Sequence, residues 1–64
     1  MEGNYYFIWS AVSATGEIEG RYEQTIHAKN FQDAADYFAW HHGELAPNEN
    51  GTCLVINSIV WQPL

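Results

Sequence analysis

Apolar positions along this chain follow two periodicities, a strand period in three segments and a helix period in one. The first segment, Asn4-Tyr5-Tyr6-Phe7-Ile8-Trp9-Ser10-Ala11-Val12, is apolar on both faces of an extended chain. Side chains alternate along a strand, so Tyr5, Phe7, Trp9 and Ala11 point one way and Tyr6, Ile8 and Val12 the other. Ala14-Thr15-Gly16-Glu17 follows and reads as a hairpin connection, with Gly16 free to take positive φ. Beyond it, Ile18, Gly20, Tyr22, Gln24, Ile26 and Ala28 alternate with Glu19, Arg21, Glu23, Thr25, His27 and Lys29. That pattern predicts a half-buried strand at a sheet edge, whose outer charges discourage edge-to-edge aggregation.

The period then changes to that of a helix. Asn30 is a good N-cap, and Asp33 places negative charge near the helix N-terminus. The spacing predicts a helix from Phe31 to His42, ended by Gly43. At about 100° per residue, Phe31, Ala34, Ala35, Phe38, His42 and Leu45 share one stripe. Gln32, Asp33, Asp36, Trp40 and Glu44 gather on the opposite side, flanked by Tyr37. Residues 46–51 form a loop by composition. Thr52 to Trp61 is a third strand, apolar on both faces, with a bulge expected at Asn57-Ser58 and a stop at Pro63.

The fold class is therefore α+β. One domain over residues 1–64 has the order β-β-α-β, with a three-stranded antiparallel sheet of strand order 2-1-3 and one helix across one face. The charged strand belongs at an edge, and the first, doubly apolar strand belongs in the centre. One helix covers one face, and the expected uncovered row is Tyr5, Phe7 and Trp9, joined by Trp61 or Val60. Periodicity alone leaves open which row the helix takes.

Size sharpens the problem of the second face. A domain of about this length buries only about 60% of the surface its unfolded chain exposes. Small domains compensate with disulfides, a metal or oligomerisation. With a single cysteine, Cys53, no internal disulfide forms, and the chain reads as cytoplasmic. Ten aromatic residues in 64 are a heavy load for this architecture, so a partner or a homodimer is the remaining compensation. Tyr5, Phe7, Trp9 and Trp61 are the candidate contacts.

Charge changes the picture of what that partner is. Eight acids stand against Arg21 and Lys29, a net charge of −6. Binding to nucleic acid needs clustered cations, so direct nucleic-acid binding is not expected. Acidity suits instead a protein with a basic surface, or simply keeps a greasy domain soluble. Glu17, Glu19, Glu23, Asp33, Asp36 and Glu44 are the candidate acidic surface. Asp36, Tyr37 and Trp40 form a second candidate contact site, where an indole among carboxylates is not required by packing.

Chemistry is sparse. No stretch approaches the roughly 20 apolar residues of a membrane span, and the N-terminus lacks the basic region of a signal peptide. His27, His41, His42 and Cys53 show no zinc-ligand spacing, and His42 on the apolar stripe reads as a core histidine satisfied by a backbone carbonyl. Gly3, Gly16, Gly20, Gly43 and Gly51 are scattered singly, without a phosphate loop. No catalytic residue, metal or cofactor is expected. An enzyme using Cys53 with a histidine is the least favoured reading.

Around the strand-to-helix junction the chain reads Ile26-x-Ala28-x-Asn30-Phe31-x-x-Ala34-x-x-x-Phe38. With a closing aromatic strand, this resembles the compact β-β-α-β proteins encoded by phages and mobile elements, some of them anti-CRISPR and other anti-defence inhibitors. The resemblance implies an inhibitor that blocks a host nuclease, helicase or nucleic-acid-guided complex by occupying its surface, inside a bacterial cell. The alternative is a structural or adaptor protein whose apolar sheet face drives homo-oligomer assembly.

Overall fold

The computed structural model describes residues 1–42 and 51–64. Gly43, Leu45, Glu44 and most of the loop expected at 46–51 lie outside the described residues. Four elements follow in the order β1 (Gly3–Val12), β2 (Ile18–Ala28), α1 (Phe31–His42) and β3 (Cys53–Gln62). They build a β-β-α-β fold with one three-stranded antiparallel sheet in the order β2-β1-β3.

The local chemistry of each turn is as the residues demand. Gly16 sits at φ 87° in the β1–β2 connection. The Ser13 amide donates to the Glu17 carbonyl and the Gly16 amide to the Ser13 carbonyl, closing the hairpin at 2.8 and 2.9 Å. Asn30 caps α1, its Oδ1 accepting from the Asp33 amide at 2.8 Å. That bond satisfies one of the orphan donors at the helix start.

The core lies between α1 and the β1–β2 half of the sheet, and consists of Tyr5, Phe7, Trp9, Ile26, Ala34 and Phe38. Phe38 stacks on Phe7 and meets the edge of Trp9, both at 4.9 Å between ring centroids. Ala34 is fully buried, and its small side chain lets the helix approach the sheet closely.

The row expected to be uncovered is thus the row that the helix covers. Tyr5, Phe7 and Trp9 are 4%, 0% and 5% exposed. The cause is one residue. Val12 pairs with Ile18, but Ala11 pairs with Gly20, so Glu19 is an extra residue in β2. Without this bulge, the apolar row of β2 would share a face with Tyr6 and Ile8. With it, Tyr5, Phe7 and Trp9 face the same way as Ile26, Gln24 and Tyr22. Ile18, on the far side of the bulge, leaves the row expected for it and is 54% exposed.

A second bulge lies where the sequence placed it. Ile8 pairs with Ser58 and Trp9 with Ile56, leaving Asn57 unmatched in β3. Its amide donates to Ser10 Oγ at 2.8 Å, which satisfies a hydroxyl only 3% exposed. The bulge keeps Leu54, Ile56, Ile59 and Trp61 together on the helix side, where each packs against the core while remaining partly exposed.

Candidate functional site

Among the described residues, two faces stand out once the core is accounted for. One is the outward side of α1. Trp40 is 79% exposed and Tyr37 41% exposed, and neither belongs to the core. They meet at 6.4 Å in an edge-to-face pair. His41 completes the group, 4.2 Å from Tyr37 and 4.5 Å from Trp40 between ring centroids. Positions three and four apart on a helix lie side by side, which is why 37, 40 and 41 converge. Asp33 and Asp36 stand exposed on the same helix, and Asp36 accepts from the Gln32 amide at 3.0 Å. The three rings lie in mutual contact, so they offer an incoming group one continuous aromatic surface.

The other surface is the sheet face turned away from the helix. Tyr6, Ile8 and Val12 from β1 are half-buried there, beside Val55 and Val60 of β3, which are 44% and 46% exposed. The β2 side of this face is polar. Glu23 accepts from the Tyr6 hydroxyl at 2.5 Å, and His27 lies 3.3 Å from Asn4 Oδ1 and 3.5 Å from Glu2. Hydrogen bonding to the Glu23 carboxylate, with lesser help from burial and its charge, raises the Tyr6 phenol above its ordinary range.

The residues singled out from sequence fall into distinct places. Tyr5, Phe7 and Trp9 are core beneath α1, and Trp61 is half-buried opposite Tyr5, so these four are fold residues of the helix side. The Trp61 indole lies over Gly3, and its buried Nε1–H finds no acceptor among the described residues. Asp36, Tyr37 and Trp40 do come together. The acids do not form a single stripe. Glu17 sits in the hairpin turn, Glu19 accepts from the Thr52 hydroxyl at 3.0 Å, and Glu23 is on the face away from the helix. Asp33 and Asp36 lie on α1, and Glu44 is outside the described residues.

His42 is packed against Trp9 and Phe38, both at 4.8 Å. Its Nε2 donates to the Gln24 side-chain oxygen at 2.6 Å, in place of the backbone carbonyl expected. An open cleft of about 430 Å³ borders this pair, lined by Trp9, Ala11, Tyr22, His42 and Leu54. Its lining holds no charged carboxylate, thiol or amine. Among the described residues no three His, Cys, Asp or Glu side chains gather as a metal site, and no helix is long and apolar enough to cross a membrane.

His41 joins the ring group, a role separate from the metal ligation that its residue type suggests. Its spacing of four from Tyr37 is the sequence signal for that contact. Comparison with known proteins finds no matching family, no similar curated protein and no similar solved structure.

Proposed function

We propose that this chain is a small acidic protein-binding inhibitor of phage type, which blocks a host defence nuclease, helicase or nucleic-acid-guided complex by occupying a basic surface. The observation that carries this reading is the exposed ring group Tyr37, Trp40 and His41 beside Asp33 and Asp36 on the outward side of α1. Tryptophan and tyrosine dominate binding energy where they insert into a partner's pocket, and carboxylates at the rim steer a basic surface into place. Pre-bracing by neighbouring rings reduces the ordering cost of binding. The chain acts by occupation, without turnover, in the cytoplasm of the bacterial host.

The test is quantitative capture from a bacterial lysate on immobilised protein. Wild type recovers a basic nucleic-acid-processing protein in stoichiometric amount. Trp40→Ala weakens that capture by at least ~10-fold, as expected of a binding hot spot. Its thermal midpoint stays within about 4 °C of wild type, because the indole is 79% exposed and lies outside the core cluster. Undiminished capture by Trp40→Ala would remove α1 from the site. The competing reading, an adaptor that assembles through the uncovered face of Tyr6, Ile8, Val12, Val55 and Val60, predicts recovery of the chain alone.

A further inference from the structure

The β3 strand has the composition of a central strand and the position of an edge strand. Seven of its ten residues, Cys53-Leu54-Val55-Ile56-Asn57-Ser58-Ile59-Val60-Trp61-Gln62, are apolar, yet none of the ten is buried. β1, which is paired on both sides, buries Tyr5, Phe7, Trp9 and Ser10. Strands apolar on both faces are ordinarily covered on both faces and flanked on both edges. Here one edge of β3 pairs with β1, and among the described residues no strand pairs with the other.

Proteins protect open edges with charges, prolines or bulges. The opposite edge, β2, follows that rule with Glu19, Arg21, Glu23 and His27. β3 does not: residues 51–64 contain no Asp, Glu, Lys, Arg or His, and Pro63 comes only after the strand. The bulge at Asn57 interrupts the ladder once and leaves Ser58–Gln62 as the longer regular arm.

Electrostatics selects which surface of one copy a second copy meets. Two chains of charge −6 repel, and the repulsion is least where neither presents an acid. β1 and β3 carry no charged residue. Glu23 lies two strands away on β2, Glu2 sits 3.5 Å from His27 of β2, and Glu19 reaches only Thr52, just ahead of the start of β3 and at the opposite end from Ser58–Gln62. The free edge of β3 is the neutral seam of an otherwise acidic molecule.

We propose that β3 pairs antiparallel with β3 of a second copy through Ser58–Gln62, about a two-fold axis at Val60, joining two sheets into one of six strands. In this register Val60 faces Val60 of the other copy, Ser58 faces Gln62, and Ile59 faces Trp61. The first contact covers a side chain that is 46% exposed in the single chain. The last brings the partly exposed helix-side rows of both copies together. No like charges oppose one another across the seam. A two-fold axis normal to the sheet keeps both helices on one side, so the two Trp40 sites project in the same direction. The pairing does not depend on the inhibitor reading, and Trp40→Ala leaves it unchanged.

Light scattering across a concentration series tests it, together with amide hydrogen exchange. Wild type gives twice the chain mass of 7.3 kDa. Val60→Lys places like charges across the axis and gives the single-chain mass at the same concentrations. Val55→Lys, whose position has no opposite number in this register, and Ile8→Lys, on the central strand, keep the doubled mass. In wild type, the β3 amides pointing away from β1 exchange more slowly as dimer forms. A wild type that stays single up to about 1 mM, where any specific pairing stronger than about 4 kcal/mol would be visible, overturns the proposal. So does a dimer lost on Ile8→Lys but kept in Val60→Lys, which is face-to-face packing. Free-edge amides whose exchange ignores concentration overturn it too, even if a lysine variant fails to fold.

Discussion

Gly3 and Gly20 both lie under an aromatic side chain, with opposite consequences for substitution. A methyl group at Gly3 would overlap the Trp61 indole and stand 2.6 Å from the Gln62 backbone oxygen. The indole is held in the β1–β3 pairing and the carbonyl is part of the chain, so neither yields without shifting the sheet. At Gly20 the methyl would meet the Tyr22 hydroxyl at 2.5 Å and its ring at 2.9 Å. That ring is the far end of a side chain 51% exposed, and it can swing outward. Gly3→Ala is therefore expected to cost about 1–3 kcal/mol, the usual toll of overpacking. Gly20→Ala is expected to stay within about 0.5 kcal/mol of wild type. Urea titration of the two variants reads both, and equal losses would show that the Trp61–Gly3 contact carries no special constraint. The residue types at these positions were plain in the sequence. Their contacts were not, because Trp61 meets Gly3 only through a register that the Asn57 bulge creates.

At the scale of elements, every segment was legible from periodicity. The three strands and the helix lie where alternation and the roughly 100° stripe put them, because each pattern reports a local period. The Asn30 cap was equally legible, since its side chain serves an amide three residues on. Asn30→Ala leaves that amide unsatisfied and is expected to cost about 1 kcal/mol. In a domain of this size that lowers the thermal midpoint by about 4–8 °C, measured by circular dichroism. An unchanged midpoint would mean that tertiary packing alone holds the first turn. What the patterns did not reveal is which row of β1 the helix covers. The answer depends on Glu19, one residue added to a strand whose alternation continues undisturbed on either side. A bulge in a charged edge strand leaves no mark in the hydrophobic pattern, whereas Asn57 broke an apolar run and was visible for that reason. The single hidden residue reversed the assignment of Tyr5, Phe7 and Trp9 from surface to core.

The whole molecule is a thin plate, 39 × 17 × 12 Å, with a radius of gyration of 12.5 Å. A compact chain of this length would have a radius of gyration of about 11 Å. One helix over one half of a three-stranded sheet cannot close around its apolar residues, so surface is left for contact at the ring group of α1 and along β3. The described acid side chains do not merge into one stripe, so under the proposed reading the aromatic group of α1 is the feature that discriminates among partners. That assignment rests on placement in the fold: Trp40 and Tyr37 face outward on a helix whose inward residues, Ala34 and Phe38, are already buried. The measurement that tests the central claim most directly is a titration of the captured nuclease or helicase with this protein, following the target's own activity. Activity that falls in proportion to added protein and vanishes near one chain per target, with Trp40→Ala leaving it intact, is the result the account predicts. Activity that persists under excess wild-type protein, or that Trp40→Ala abolishes just as fully, would contradict it.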